Sequence, residues 1–383
     1  MIKEVIGKKI KELREITGFT QEQVAQRIDV SKEYVSMLEA GSRVPSLKVL
    51  SNLAKIFHLN IEYFLSEKEP TFSILLRSED INKKGKEELL KFKKFYDDYI
   101  FLEEITNKKM PLAPVYSMQS PAQMAAEERR RLGLGKEPIK DIFGLMESQG
   151  CHVFKHSLSQ EAKIDGAFVF TEDKRAFILI NNSQTKGRQV FTAAHEYCHY
   201  LKDRDYKFWI DTPDQLSEKN GKDKKPLEIF ANSFAANLLM PKDKIDEIID
   251  KNGGKKIGPE DVIYLKRCFG VSYQAILYRL KNLNYITKRQ LEEYLEISPI
   301  PLELLIFGNS QDVEEKEERQ YIPERYLDLA LEAYLLNRIS IGRLAELLNI
   351  DVISLRDTLS TAKFLRNKEA HKGEKPLIEK DNN

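Results

Sequence analysis

The chain has 383 residues, 42% hydrophobic and 32% charged, with 61 basic against 60 acidic side chains and a formal net charge of +1. That balance describes folded domains with room for two or three cores, and it excludes a chain whose overall field recruits nucleic acid or membrane. No run of about 18 consecutive apolar residues occurs, so no membrane-spanning helix and no membrane partner are predicted, and Met1 to Lys9 lacks the apolar core of a signal peptide. Cys151, Cys198 and Cys268 are an odd, scattered set without a C-x-x-C pair, which points to reduced thiols and a cytoplasmic location.

Residues 5 to about 65 read as five short helices. Ile6, Ile10 and Leu13 form an apolar stripe ended by Gly18. Thr20 and Gln23 have capping-box spacing at the start of a helix carrying Val24, Ala25 and Ile28. A tight turn at Asp29-Val30 leads to Ser31, a good cap for a helix from Lys32 to Ala40 that stops at Gly41. Val35 and Leu38 are expected inside, with Lys32, Glu33 and Ser36 outside. Two short helices joined by a tight turn are the arrangement in which the second helix enters the DNA major groove. The run Gly18 to Gly41 closely resembles the phage-repressor (Cro/C1, XRE-type) helix-turn-helix family. The resemblance implies base contacts from Lys32, Glu33 and Ser36 and phosphate contacts from Gln21 and Arg43. Residues 1–66 carry ten Lys or Arg against eight Asp or Glu. So modest an excess predicts weak binding to double-stranded DNA by one copy, and hence a homodimer reading two half-sites.

Residues 67–111 form a connector. It opens with a polar stretch, and Lys83 to Thr106 then sets Leu89, Phe92, Tyr96, Tyr99 and Leu102 at helical spacing. Such a helix is suited either to dimerisation or to packing within the chain, the second being favoured. Pro111, Pro114 and Pro121 mark the boundary of the next domain.

His195-Glu196-Tyr197-Cys198-His199 is an H-E-x-x-H motif in an apolar, helix-like run from Val190 to Leu201, in a chain with only six histidines. Residues four apart on a helix share a face, so both imidazoles can address one ion, and Glu196 lies beside that face as a general base. A catalytic zinc needs a third protein ligand and an open position. The candidate is Glu228, on a helix that starts near Pro226 and ends before Pro241, with Ala231, Asn232 and Ala235 on the same face. The small alanines let this helix approach another closely. Tyr197, Cys198 and Tyr200 read as packing residues.

The runs Arg188 to His199 and Glu228 to Pro241 resemble the ImmA/IrrE family of bacterial metallopeptidases, as do Ala125 to Gly135 and Gly166 to Phe170 upstream. The resemblance covers roughly residues 112 to 285 and departs from the usual pattern at Cys198. It implies metal ligation by His195, His199 and Glu228, catalysis by Glu196, and peptide hydrolysis as the reaction. Zn2+ is the expected ion, though His and carboxylate donors also accept Mn2+ or Fe2+.

Beyond this core, Ile257 to Leu283 again reads as helix, turn, helix, and so does Ile339 to Leu359, for which a structural role is favoured over DNA reading. The tail from Lys368 to Asn383 is polar and expected to be disordered. The expected architecture is mainly α with a small β-sheet. An all-α helix-turn-helix domain (1–66) and the connector (67–111) precede an α+β zinc peptidase domain (112–297), a helical C-terminal region (298–367) and the tail (368–383). The function expected is that of a DNA-binding zinc endopeptidase that regulates transcription by cleaving a repressor in a phage, mobile-element or stress response. The alternative is a regulator that uses the peptidase-like fold only as a sensor.

Overall fold

A computed structural model describes residues 2–57, 59, 61–65, 81–118, 120–171, 173–206, 208–211, 225–251, 256–312 and 321–359. The polar start of the connector (66–80) and the C-terminal tail lie outside the described residues. By internal contacts the chain forms two units. One holds residues up to 97 and from 110 to 321; the other holds 98–109 and the described residues from 322 onward. Among the described residues no helix is long and apolar enough to cross a membrane.

The first unit begins with five helices: α1 (Ile2–Thr17), α2 (Gln21–Ile28), α3 (Lys32–Glu39), α4 (Leu47–Ile56) and α5 (Ile61–Leu65). Local chemistry sets their ends. Thr20 Oγ1 accepts from Gln23 N–H at 3.1 Å while Gln23 Oε1 accepts from Thr20 N–H at 2.9 Å, satisfying two donors that the first turn leaves over. Asp29 takes a left-handed conformation (φ 57°) that ends α2, and Ser31 Oγ accepts from Tyr34 N–H to start α3. Ile10, Leu13, Val24, Val35 and Leu53 are fully enclosed between the helices. One buried carboxylate ties three of them: Glu39 accepts from Arg14 at 2.6 and 3.0 Å and from Gln21 at 2.9 Å.

Next come α6 (Lys83–Thr106), α7 (Pro121–Arg131) and α8 (Ile142–Ser148). They lead to a four-stranded sheet of β1 (Cys151–His156), β2 (Gly166–Phe170), β3 (Ala176–Asn181) and β4 (Phe208–Asp211), in the order β1-β3-β2-β4. β1 and β3 run parallel; β2 runs antiparallel to β3 and to β4. Alternation divides the sheet into two apolar faces. Phe154 and Phe177 face α6, where Phe95 stacks on Phe154 at 4.3 Å and Tyr96 meets Phe177 at 4.2 Å. This part of the connector therefore packs within the chain. Val153, Ile178, Ile180 and Phe168 face the other way, into the core that receives α9 (Lys186–Lys202) and α10 (Lys225–Leu239).

The remaining helices of this unit are α11 (Lys242–Lys251), α12 (Pro259–Phe269), α13 (Tyr273–Asn282), α14 (Lys288–Leu295) and α15 (Pro299–Phe307). The α12–α13 pair has the helix-turn-helix form read from sequence, and its turn is taken up by α9. A Cβ on Gly187, in the first turn of α9, would fall 2.4 Å from Ser272 N. At the other end of α9, Tyr116 N–H donates to Leu201 O at 2.9 Å. The second unit contains α16 (Glu324–Leu335), α17 (Ile341–Leu348) and a helical run at 352–359.

Two buried arginines that, among the described residues, have no carboxylate hydrogen-bond partner secure the end of α10. Arg129 NH1 donates to Leu238 O, and Arg279 Nε donates to Met240 O at 3.0 Å while its NH2 reaches Asn237 Oδ1 at 3.0 Å. These carbonyls belong to the turn that a helix leaves unsatisfied, and the positive charge complements the negative end of the helix dipole. Burial pulls the Arg279 pKa down to about 10, which leaves it charged at neutral pH. Arg279→Met keeps the stem's packing but strips these donors. It should lower stability by about 2 kcal/mol, read as a lower urea midpoint; an unchanged midpoint removes Arg279 from this role.

Candidate metal centre

The second half of α9 is closed in: every residue from Thr192 to Leu201 is buried. The sheet covers one side and α10 packs on another. An amphipathic surface helix would not bring polar groups here, so three polar side chains inside this run call for a chemical explanation. His195 is 3% exposed, and Glu196 and His199 are 0%. The spacing of four stacks the two imidazoles, with Nε2 atoms 3.1 Å apart. Across the helix pair, Glu228 in the first turn of α10 brings Oε2 to 3.1 Å from His195 Nε2 and Oε1 to 3.8 Å from His199 Nε2. Donor atoms of the three residues lie within 4.8 Å of one another.

The far nitrogen of each ring is also held. His199 Nδ1 donates to Asp203 Oδ2 at 2.9 Å, and His195 Nδ1 donates to Asn232 Oδ1 at 3.0 Å. With both Nδ1 protons so placed, both Nε2 atoms carry lone pairs, directed together beside a carboxylate. Two lone pairs and an anion converging inside a protein form a donor set that suits a cation. The residues therefore fit a divalent metal. Nothing in the local sequence of Asp203 or Asn232 marks it as an orienting group except its spacing. Each stands four residues beyond a ligand, Asp203 after His199 and Asn232 after Glu228, and that spacing was the available signal.

Neighbouring side chains are structural. Tyr197 donates to Glu128 at 2.5 Å, and Glu128 also accepts from Tyr116 at 2.8 Å and from Arg131 at 2.6 and 2.8 Å. Burial alone would push the Glu128 carboxyl up, but the bonds from Arg131 and the two tyrosines hold it below the usual range. Tyr200 donates to Gln149 O at 2.7 Å and accepts from Ala113 N–H at 2.7 Å. Cys198 lies in the core with its thiol pushed well up by burial, so it offers no ready thiolate beside the ligands.

In the N-terminal bundle, Lys32, Glu33, Ser36 and Arg43 are all exposed, the first three on α3. Arg43 lies over the Tyr34 ring at 5.2 Å. Gln21 is only partly exposed, and one N–H of its side-chain amide is given to Glu39. The pattern at 339–359 repeats this backbone plan closely. Ser340, Asn349 and Asp351 stand where Thr20, Asp29 and Ser31 stand in the first, and Ile350 N–H donates to Ala345 O as Val30 N–H does to Ala25 O, both at 3.0 Å. The outer faces differ. Its second helix exposes Ile353 at 69%, and residues 322–359 hold four arginines against six acidic residues. The positive excess that draws a protein onto phosphates is missing there.

Comparison with known proteins finds likeness in two parts of the chain. The family described as IrrE N-terminal-like domain matches residues 146–281, and the helix-turn-helix family matches residues 10–64. An uncharacterised helix-turn-helix transcriptional regulator of Archaeoglobus fulgidus is 41% identical over 54 residues, 14% of this chain and 76% of that protein. A Bacillus subtilis regulator, also uncharacterised, is 35% identical over 54 residues, 14% of this chain and 82% of that protein. The B. subtilis helix-turn-helix regulator ImmR is 28% identical over 64 residues, 17% of this chain and 50% of its own length.

If Asp203 fixes the His199 ring, Asp203→Ala should weaken divalent-metal affinity by about 10- to 100-fold while the helical circular dichroism stays unchanged. Competition with a chromophoric chelator measures this, and wild-type affinity in the variant would show that the carboxylate does not orient the ligand.

Proposed function

Because this chain belongs to the helix-turn-helix transcriptional regulators and carries an IrrE N-terminal-like domain, we propose that it is a zinc-dependent endopeptidase that regulates transcription by cleaving a repressor protein. The observation that supports this most is the convergence of His195, His199 and Glu228 within 4.8 Å, with Glu196 next in sequence. Residues 1–66 would bind operator DNA as part of a homodimer, and 112–297 would form the peptidase. The connector (67–111) and the C-terminal region (298–367) would support them, in a cytoplasmic protein.

His195, His199 and Glu228 would hold the ion, and the nitrogen and carboxylate donors suit zinc while accommodating manganese or iron. When bound, it supplies Lewis-acid polarisation of a peptide carbonyl and acidification of water. Glu196 accepts a proton from the attacking water and returns it to the leaving amine nitrogen. Its burial keeps the carboxylate away from bulk water, where its electrostatic effect would be screened. Asp203 and Asn232 keep the Nδ1 protons in place throughout. On the DNA side, the exposed Lys32, Glu33 and Ser36 of α3 would meet base edges, and Gln21 and Arg43 the phosphates.

Glu196→Gln should retain about one zinc per chain and lose all cleavage. Comparing the cellular proteome with the native protein and with this variant should reveal a cleaved regulator only for the native form. Cleavage that persists in Glu196→Gln would remove the residue from its role, and identical proteomes would leave a sensor rather than a peptidase. For DNA, Arg43→Ala should weaken binding to all sequences alike and reduce the salt-dependence slope by about 1. Lys32→Ala should instead relax preference at one base position. Anisotropy titrations on a selected operator separate the two, and a uniform loss from Lys32→Ala would deny it a base contact.

A further inference from the structure

We propose that Gly166, the first residue of β2, is a positioning residue for the Glu196 carboxylate; this rests on the peptidase reading above. A Cβ at Gly166 would lie 2.8 Å from Glu196 Oε1, 2.6 Å from Thr192 Cγ2 and 3.3 Å from Leu179 O. The Thr192 methyl and the Glu196 carboxylate thus together occupy the volume that any side chain at 166 would fill. Conformational freedom does not account for the glycine, since its backbone is outside the left-handed region. The space above it does.

The backbone on both sides of this contact is fixed. Gly166 is in register with Ile180 of β3 and Asp211 of β4, so β2 is paired along both edges. Just before it, Asn181 N–H donates to Asp165 O at 3.0 Å, and Asn181 Nδ2 donates to Ile164 O at 2.9 Å. On the opposite side, α9 is packed on β2 and β3. It also carries His195 and His199, whose Nδ1 atoms are held as described. An added methyl cannot be absorbed by moving the strand or the helix. The soft element is the end of the Glu196 side chain, whose oxygens lie three torsions away from its backbone. Gly166→Ala would therefore displace the base while leaving the three ligands in place.

A displacement of about 1 Å at a reacting group is enough to cost about 100-fold in rate. Crystal structures of the native protein and Gly166→Ala should show the Glu196 carboxylate moved by about 1 Å or more, with the two imidazoles and Glu228 superimposing. Zinc stoichiometry should be equal in the two proteins. With fluorescein-labelled casein as the probe, kcat should fall about 100-fold and KM change less than about threefold. Asp at 196 is shorter by one methylene and withdraws from the added methyl. Measured on Glu196→Asp, Gly166→Ala should then cost less than about threefold, a coupling that a purely structural glycine would not produce.

Thr192→Ser removes the Cγ2 atom that a methyl would also meet, and provides a second background in which the carboxylate conflict remains. Superimposable Glu196 carboxylates in both backgrounds overturn the proposal, as does a native-like kcat in Gly166→Ala with full zinc. If the native protein cleaves nothing but the carboxylate still moves, the positioning role stands and the peptidase reading fails. Native cleavage left intact by Gly166→Ala rejects the positioning role alone.

Discussion

The close packing of α9 on α10 governs the rest of the molecule. Within α9 the spacing of four already sets the Nε2 atoms of two histidines 3.1 Å apart, and the packing brings a carboxylate oxygen of α10 to 3.1 Å from one of them. Such proximity is unfavourable inside a protein unless something cationic is accommodated. The sequence permits it through small residues. Ala231 and Ala235 are fully buried on the face of α10 that carries Glu228 and Asn232, so the helix axes can approach without a bulky side chain between them. Asp203 and Asn232 then determine which imidazole nitrogens face inward. Arg129 and Arg279 hold the far end of α10, and so act on the site by keeping the helix that presents Glu228 in place.

The fold also applies one backbone device to different surfaces. Two short helices with a left-handed residue between them occur at 21–39, at 259–282 and at 341–359. The geometry is set by caps and by an αL residue, and neither dictates what the second helix will meet. What differs is the outer surface. The first pair exposes Lys32, Glu33 and Ser36, the second gives its turn to Gly187, and the third presents Ile353 in a segment with more acids than bases. Helix-turn-helix geometry is thus a scaffold, and the side chains on it decide between DNA, the protein's own core and other surfaces.

What could be read from the sequence was what depends on short spacing. The helices, the Thr20 capping box, the ends at Gly41 and Pro241, and the stacked pair His195 and His199 all follow from neighbours within four residues. Glu228 was accessible because a helical face of small residues could be counted around it. The orienting groups were less accessible, because an aspartate at i+4 is commonplace and acquires meaning only when its partner ring is seen to bind inward. Gly166 gave no local sign at all. The space above that glycine is filled by a threonine methyl and a carboxylate nearly thirty residues later in the chain, and only the packing of β2 under α9 brings them together. The packing of the first part of the connector helix likewise depends on a surface invisible in its own sequence, the apolar outer face formed by Phe154 and Phe177.

The two anchored ends of α9 have a consequence for motion. Helices ordinarily fray from their termini, and slow amide exchange is confined to their middles. Here the first turn is pressed by Gly187 against the backbone of Val271 and Ser272, and the last is bonded through Leu201 O to Tyr116. Neither end can unwind without dislodging an element that itself belongs to the core. Deuterium should therefore enter the amides of this helix at nearly one common, slow rate, set by opening of the whole domain. The motif would be lost all at once or kept whole.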